Sequence, residues 1–154
     1  MASSPSSART DLALLLVRFA FGVQMAFLHG WGKLQSYLGG ASSFADPLNI
    51  GWKYSMWGTI AGEFVCGLLL AAGLFTRVAG FGMAFTMGVA AFMIHGQSGW
   101  AKRELAVCYL AVALLVTLTG AGRFSLDAMV LPRLRAKFGR GGSPAAARPR
   151  PARA

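Results

Sequence analysis

Apolar residues gather into four long runs along the chain, roughly Leu12–Leu28, Ser55–Phe75, Val78–His95 and Leu105–Gly122. Each comes close to the ~20 residues that a helix needs to cross a bilayer at ~1.5 Å per residue. Glycine-rich breaks separate the runs, and polarity does not alternate within them. Strands would require that alternation and a closed barrel, so the pattern predicts helices. The expected fold is all-α, an integral membrane four-helix bundle spanning 12–130. Residues 1–11, rich in Ser and Ala, read as a disordered N-terminal tail, and 131–154 as a basic disordered C-terminal tail. The one long connection, from Gly30 to Tyr54, is amphipathic and aromatic and is expected to lie on or dip into the outer membrane interface.

Composition agrees with the pattern. The chain has 154 residues, 55% of them hydrophobic and 13% charged, with mean hydropathy +0.53. A soluble domain of that size needs more polar surface. Both cysteines sit inside apolar runs, which excludes a secreted disulfide scaffold. The first run contains Arg18 and ends without a clean small-residue cleavage site, so it does not read as a cleavable signal.

The net charge of +10 raises the question of nucleic acid, and its distribution answers it. Seven of the fifteen basic residues follow Pro132, in a stretch rich in Pro, Ala and Gly whose one aromatic is Phe138. Such a tail reads as touching anionic membrane lipid and fixing orientation. No nucleic-acid partner is expected.

Lys and Arg also set the topology. Arg9, Arg77, Arg123 and the tail fall on one side, against Lys33, Lys53, Lys102 and Arg103 on the other. The richer side is expected to be cytoplasmic, with both termini there. All four tryptophans, Trp31, Trp52, Trp57 and Trp100, fall at the opposite interface, a one-sided aromatic belt that agrees. A weak internal repeat is visible too. His29-Gly30 closes the first run and His95-Gly96 the third, while Glu63 with Cys66 and Glu104 with Cys108 mark the second and fourth. Two helices per unit would make a parallel repeat about the membrane normal; chance matching competes with it in so Gly- and Ala-rich a chain.

Charged groups at membrane depth cost ~2.5–3.5 kcal/mol or more and should face protein. Arg18 and Glu63 are such groups, and they are expected to form an intramembrane ion pair. Glu63 would lie roughly 8 Å nearer the outer side, within reach of a long Arg side chain. The pair reads either as a lock between two helices or as tuning a substrate or proton site.

A second group lies toward the outer side. If one stripe of the third run (Arg77, Phe81, Ala84, Gly88, Ala91, His95) and one of the fourth (Glu104, Cys108, Ala111, Leu115, Leu118, Gly122) face inward, then His29, His95, Glu104 and Cys108 converge. Four readings compete: interfacial histidines bonded to loop backbone, a pocket for a quinone carbonyl or small anion, a metal site, and a Cys66–Cys108 redox pair. The spacing is not a local chelating motif, so no metal is expected. Gly58-x-x-x-Gly62, and the small residues Ala84, Gly88 and Ala91, read as close-packing faces, within the bundle or between copies in a homo-oligomer.

These residues together resemble the DoxX family of small membrane proteins. The resemblance is carried by Arg18, Phe27-Leu28-His29-Gly30 with Lys33-Leu34, Glu63 with Gly67, Gly73-Leu74-Phe75-Thr76-Arg77, Glu104 with Tyr109, and Gly120-x-Gly122-x-x-Ser125-Leu126-Asp127. It spans about Leu12 to Asp127. The family often has a double glycine after the second-helix glutamate, and Cys66 departs from it here. The resemblance implies a multi-pass protein of the bacterial plasma (inner) membrane. Some relatives look like subunits of a thiosulfate:quinone oxidoreductase, and others are associated with superoxide detoxification and thiol redox balance.

The chain carries no haem-attachment motif, iron–sulfur cysteine set or Gly-rich nucleotide loop. No covalently bound cofactor is expected, and redox chemistry would need a quinone or a redox partner protein. The expectation is a DoxX-like protein that supports a redox system by binding quinone or a small sulfur anion in the bundle. The alternatives are a non-enzymatic scaffold recruiting a soluble oxidoreductase, and a small-solute or proton transporter.

Overall fold

The computed structural model describes residues 8–130 and Pro132. The rest of both expected tails lies outside the described residues. Those residues form helices and their connections, with no strand among them. α1 runs Ala8–Leu38, α2 Trp52–Ala72 and α3 Thr76–Ile94, and these three are long and apolar enough to cross a membrane. α4, Trp100–Thr119, has 20 residues and opens with Lys102, Arg103 and Glu104. A short helical stretch, 126–130, follows it. Below, the end of the bundle holding Arg9, Arg77 and Arg123 is the inner end, and the end with the four tryptophans is the outer end.

α1 departs most from the pattern of apolar residues. It starts at Ala8, inside the expected tail, and does not close at His29 but continues to Leu38. Gly30 and Gly32 only weaken a helix. Termination waits for Gly39-Gly40, where Gly40 turns the chain at φ +85°. The connection expected from Gly30 to Tyr54 therefore shrinks to 39–51.

Three helices contain a π segment: Met25–Gly30 in α1 and Ala90–Ile94 in α3, both in the outer half, and Ala61–Val65 midway along α2. A π turn inserts about one extra residue, which rotates everything beyond it by ~100°. In α1 this turns Gly30, rather than His29, onto α2. A Cβ at Gly30 would come 2.5 Å from the Phe64 nitrogen, and one at Gly22 would come 2.6 Å from the Gly67 carbonyl oxygen. These two glycines set the α1–α2 contact. Gly80 does the same against Ala113 and Thr117 between α3 and α4, and Gly62 against Thr86 between α2 and α3. Gly58 and Gly88 do not pack as expected, since nothing lies within 4 Å of a Cβ built on either.

The core is built by Met25, Leu70, Met83, Met87, Tyr109 and Val116 with small residues between them. The inward stripe expected on α4 is its outward one: Glu104, Cys108 and Leu115 are exposed, and Leu118 is 77% exposed. Ala106, Tyr109, Ala113 and Val116 face inward instead. On α3 the expected stripe holds in part: Ala84 and Ala91 point in, beside Gly80, Met83 and Met87, while Phe81 points out. Hydrocarbon outside is as apolar as the core, so hydrophobicity does not mark the buried face in a membrane bundle; small residues do.

The inner end is tied by polar groups. The Arg18 guanidinium, in a residue only 2% exposed, donates to the carbonyls of Leu70 (3.2 Å), Ala71 (2.8 Å) and Phe124. It thus ties down carbonyls in the last turn of α2, where the regular helix supplies few donors and Leu70 otherwise accepts from the C-cap amide of Gly73. The Asp127 carboxylate accepts from the amides of Phe75 (2.8 Å) and Thr76 (2.9 Å), capping α3 from outside the helix. Asp11 accepts from the Arg123 amide at 3.1 Å. Phe75 holds φ +47°, a strained value for a bulky residue that the Asp127 bond helps to fix.

Candidate functional site: a cavity at the Lys33–Glu63 pair

Glu63 is 5% exposed, inside the π segment of α2. Its partner is not Arg18. The Lys33 ammonium, on the part of α1 beyond its own π segment, forms the ion pair with Glu63 Oε2 and also reaches the His29 carbonyl at 3.5 Å. The expected Arg18–Glu63 pair fails on side-chain direction. Helical side chains lean toward their own N-terminus. In antiparallel α1 and α2, Glu63 leans to the outer end and Arg18 to the inner end, so the two diverge. Lys33, attached above Glu63, leans down to meet it.

The pair borders a cavity of about 520 Å³ between α2, α3 and the 39–51 loop. Most of its wall is apolar: Phe44, Pro47, Leu48 and Ile50 from the loop, with Phe85, Val89 and Ile94 from α3. The polar groups in the wall are Lys33, Glu63, His95, Cys66, Tyr54 and the hydroxyls of Ser55, Thr59 and Thr86. The π segments of α2 and α3 both contribute to it, through Ala61, Gly62, Glu63, Ala90 and Ile94. Such segments recur at functional sites, because they re-aim side chains at the expense of regular hydrogen bonding.

The loop that roofs the outer mouth is pinned by Asp46. Its carboxylate accepts from the Ser55 hydroxyl (2.6 Å) and from the amides of Gly51 (2.7 Å) and Ile50 (3.2 Å). Those bonds, Ser55 first, hold the Asp46 carboxyl below its ordinary value. The edge contact of Tyr37 on Trp57, 4.9 Å between ring centres, fixes the end of α1 against α2.

Of the four expected site residues, the structure brings one to this cavity. His95 lines it. His29 lies elsewhere, edge-on to Tyr109 of α4 with 5.7 Å between ring centres. Glu104 and Cys108 are exposed on the outward face of α4, so the two histidines, the carboxylate and the thiol do not converge. Cys66 and Cys108 are both free, and a redox pair between them is not formed. No group of three His, Cys, Asp or Glu side chains is placed to hold a metal among the described residues. In the sequence Lys33 is legible as a charge on the outer side and, with Leu34, as part of the family resemblance, but not as the partner of Glu63. A second groove, about 480 Å³, lies at the inner end near Thr76, Arg77 and Gly120, but Asp127 already occupies the α3 amides there.

The DoxX family model matches residues 13–96, more than half of the chain. The chain belongs to the DoxX family. All the residues lining the larger cavity, from Lys33 to His95, fall within the DoxX match, whereas Glu104 and Cys108 lie beyond it. The chain is also similar to a curated protein of Haemophilus influenzae named "Uncharacterized protein", with 28% identity over 88 residues, 54% of this chain and 56% of that one. The chain thus spans about half the length of that relative. No solved structure matches the chain.

Proposed function

We propose that this DoxX-family protein crosses a bacterial plasma membrane four times, with both termini cytoplasmic, and serves a redox system by binding a quinone or a small sulfur anion in the Lys33–Glu63 cavity. The observation that carries the reading is an ion pair in the wall of a largely apolar cavity. Ionisable groups at membrane depth are costly and mark functional sites by default. An apolar pocket with a few convergent polar groups is the usual form of a small-molecule site. His95 adds a side chain suited to proton exchange near neutral pH.

The fourth crossing is α4. Its charges sit in its first turn, at the level of the tryptophans, where an interface tolerates them. The transport alternative uses the same ion pair and differs in predicting solute flux into proteoliposomes. The scaffold alternative predicts capture of a soluble oxidoreductase with no small molecule bound.

Native mass spectrometry of gently purified protein tests the reading. Wild type should retain a quinone or sulfur-anion mass that Lys33→Met loses. Wild type that carries neither, under conditions that preserve bound lipid, contradicts it.

A further inference from the structure

We propose that the cavity is reached sideways from the bilayer, through the seam between α2 and α3 at Phe85, and that it takes a neutral amphiphile with a carbonyl or hydroxyl head rather than a small anion. This rests on the reading that the cavity is the functional site, and it decides between the two ligand classes left open there.

Phe85 lines the cavity yet is 57% exposed. It lies on the same α3 face as Val78, Phe81 and Phe92, all exposed and apolar, which is a bilayer-facing stripe. Its ring therefore separates the cavity from lipid. On the α2 side Gly58 lines the cavity, and nothing lies within 4 Å of the point where a Cβ would stand, so the space there is open. Toward water the mouth is roofed by Phe44, Pro47, Leu48 and Ile50, in the loop that Asp46 pins.

The polar groups fit a neutral head. Lys33 is matched by Glu63, and among the described residues no other Lys or Arg lines the cavity, so an anion would meet a carboxylate with no permanently charged side chain free to offset it. The Thr59 and Thr86 hydroxyls donate to Ser55 and Gly82 carbonyls of their own helices, at 2.8 and 3.0 Å, and Ser55 donates to Asp46. They offer lone pairs but no proton. An ammonium has three N–H donors. Glu63 and the His29 carbonyl take two, which leaves one for a ligand carbonyl, while Glu63 can accept from a ligand hydroxyl.

Cys66 reports on access, because it lines the cavity and Cys108 can be removed as Cys108→Ser. In proteoliposomes, membrane-soluble N-phenylmaleimide should label Cys66, and a sulfonated, impermeant maleimide should not. Gly58→Leu, which fills open space, should slow labelling about tenfold, and Phe85→Ala should speed it. Decylubiquinone should protect Cys66, and thiosulfate should not. An unfolded Gly58→Leu variant would label faster, so misfolding cannot imitate the expected result. Equal labelling by the sulfonated reagent, no effect of Gly58→Leu, or protection by thiosulfate alone would each overturn the proposal. Lateral labelling and quinone protection in a protein with no redox phenotype would leave it standing and remove the redox role instead.

Discussion

Lys33 and Glu63 meet across α1 and α2 because the two helices run antiparallel and each side chain leans toward its own N-terminus. The π segment of α1 supplies the rotation that puts Lys33 on that face, and the π segment of α2 holds Glu63. The pair couples α1 to the wall of the cavity.

A double-mutant cycle should separate this pair from the one the charges alone would favour. Lys33→Met leaves a buried carboxylate unpaired and should cost ~3–5 kcal/mol of stability in detergent. Lys33→Met with Glu63→Leu should recover part of that loss. Arg18→Leu should also destabilise, by about 3 kcal/mol through lost carbonyl bonds, but additively with Glu63→Leu, since Arg18 and Glu63 share no contact. Coupling between Arg18 and Glu63, with none between Lys33 and Glu63, would contradict the assignment.

The glycines should divide sharply. Gly30→Ala places a Cβ 2.5 Å from the Phe64 backbone and should lower the melting temperature by forcing α1 from α2. Gly58→Ala meets nothing and replaces a poor helix former, so it should be neutral or stabilising by up to about 1 kcal/mol. Equal losses at the two positions would mean that the α1–α2 approach is not set by Gly30.

Much of this architecture is legible in the sequence. The four apolar runs mark the helices and the cost of burying charge puts Arg18 and Glu63 against protein, while the α2–α3 turn, expected at Thr76-Arg77 between the runs, falls at 73–75 instead. What is not legible has physical causes. Apolar periodicity cannot tell the lipid face from the core, so it turns the α4 stripe through Cys108 and Leu118 to the wrong side. A π segment has no apolar signature, so the rotation that takes His29 off the α2 contact and brings Lys33 to Glu63 leaves no trace in the pattern. Side-chain lean, which sends Arg18 and Glu63 apart, enters only once the helices are paired.

Acid should loosen the roof of the cavity. The folded Asp46 value is lowered, chiefly by the Ser55 hydrogen bond, so its contribution is fully present above the ordinary carboxylate value of ~3.9 and is lost as pH falls through the lower folded value. A fluorophore on Ser43→Cys, with Cys66 and Cys108 replaced by Ser, should lose anisotropy below about pH 4. Asp46→Asn should show the low value already at neutral pH. An unchanged signal in Asp46→Asn would mean that the carboxylate does not hold the loop.

Topology is testable by thiol labelling in cells. On a background with Cys66 and Cys108 changed to Ser, a cysteine at Ser42 in the 39–51 loop should react with an impermeant reagent from the periplasm. One at Arg150 should react only after the membrane is opened. The reverse pattern would invert the orientation drawn from Lys, Arg and Trp placement.

The most direct measurement is complementation of a deletion strain under oxidative stress, with membrane abundance of every variant determined alongside. The double variant Lys33→Met with Glu63→Leu, which leaves neither charge unpaired, should fail to restore survival while present at normal levels, and Glu104→Gln and Cys108→Ser, on the outward face of α4, should restore it fully. Full rescue by the double variant, or failure of the Glu104 and Cys108 variants at normal abundance, would contradict the assignment of function to the Lys33–Glu63 cavity.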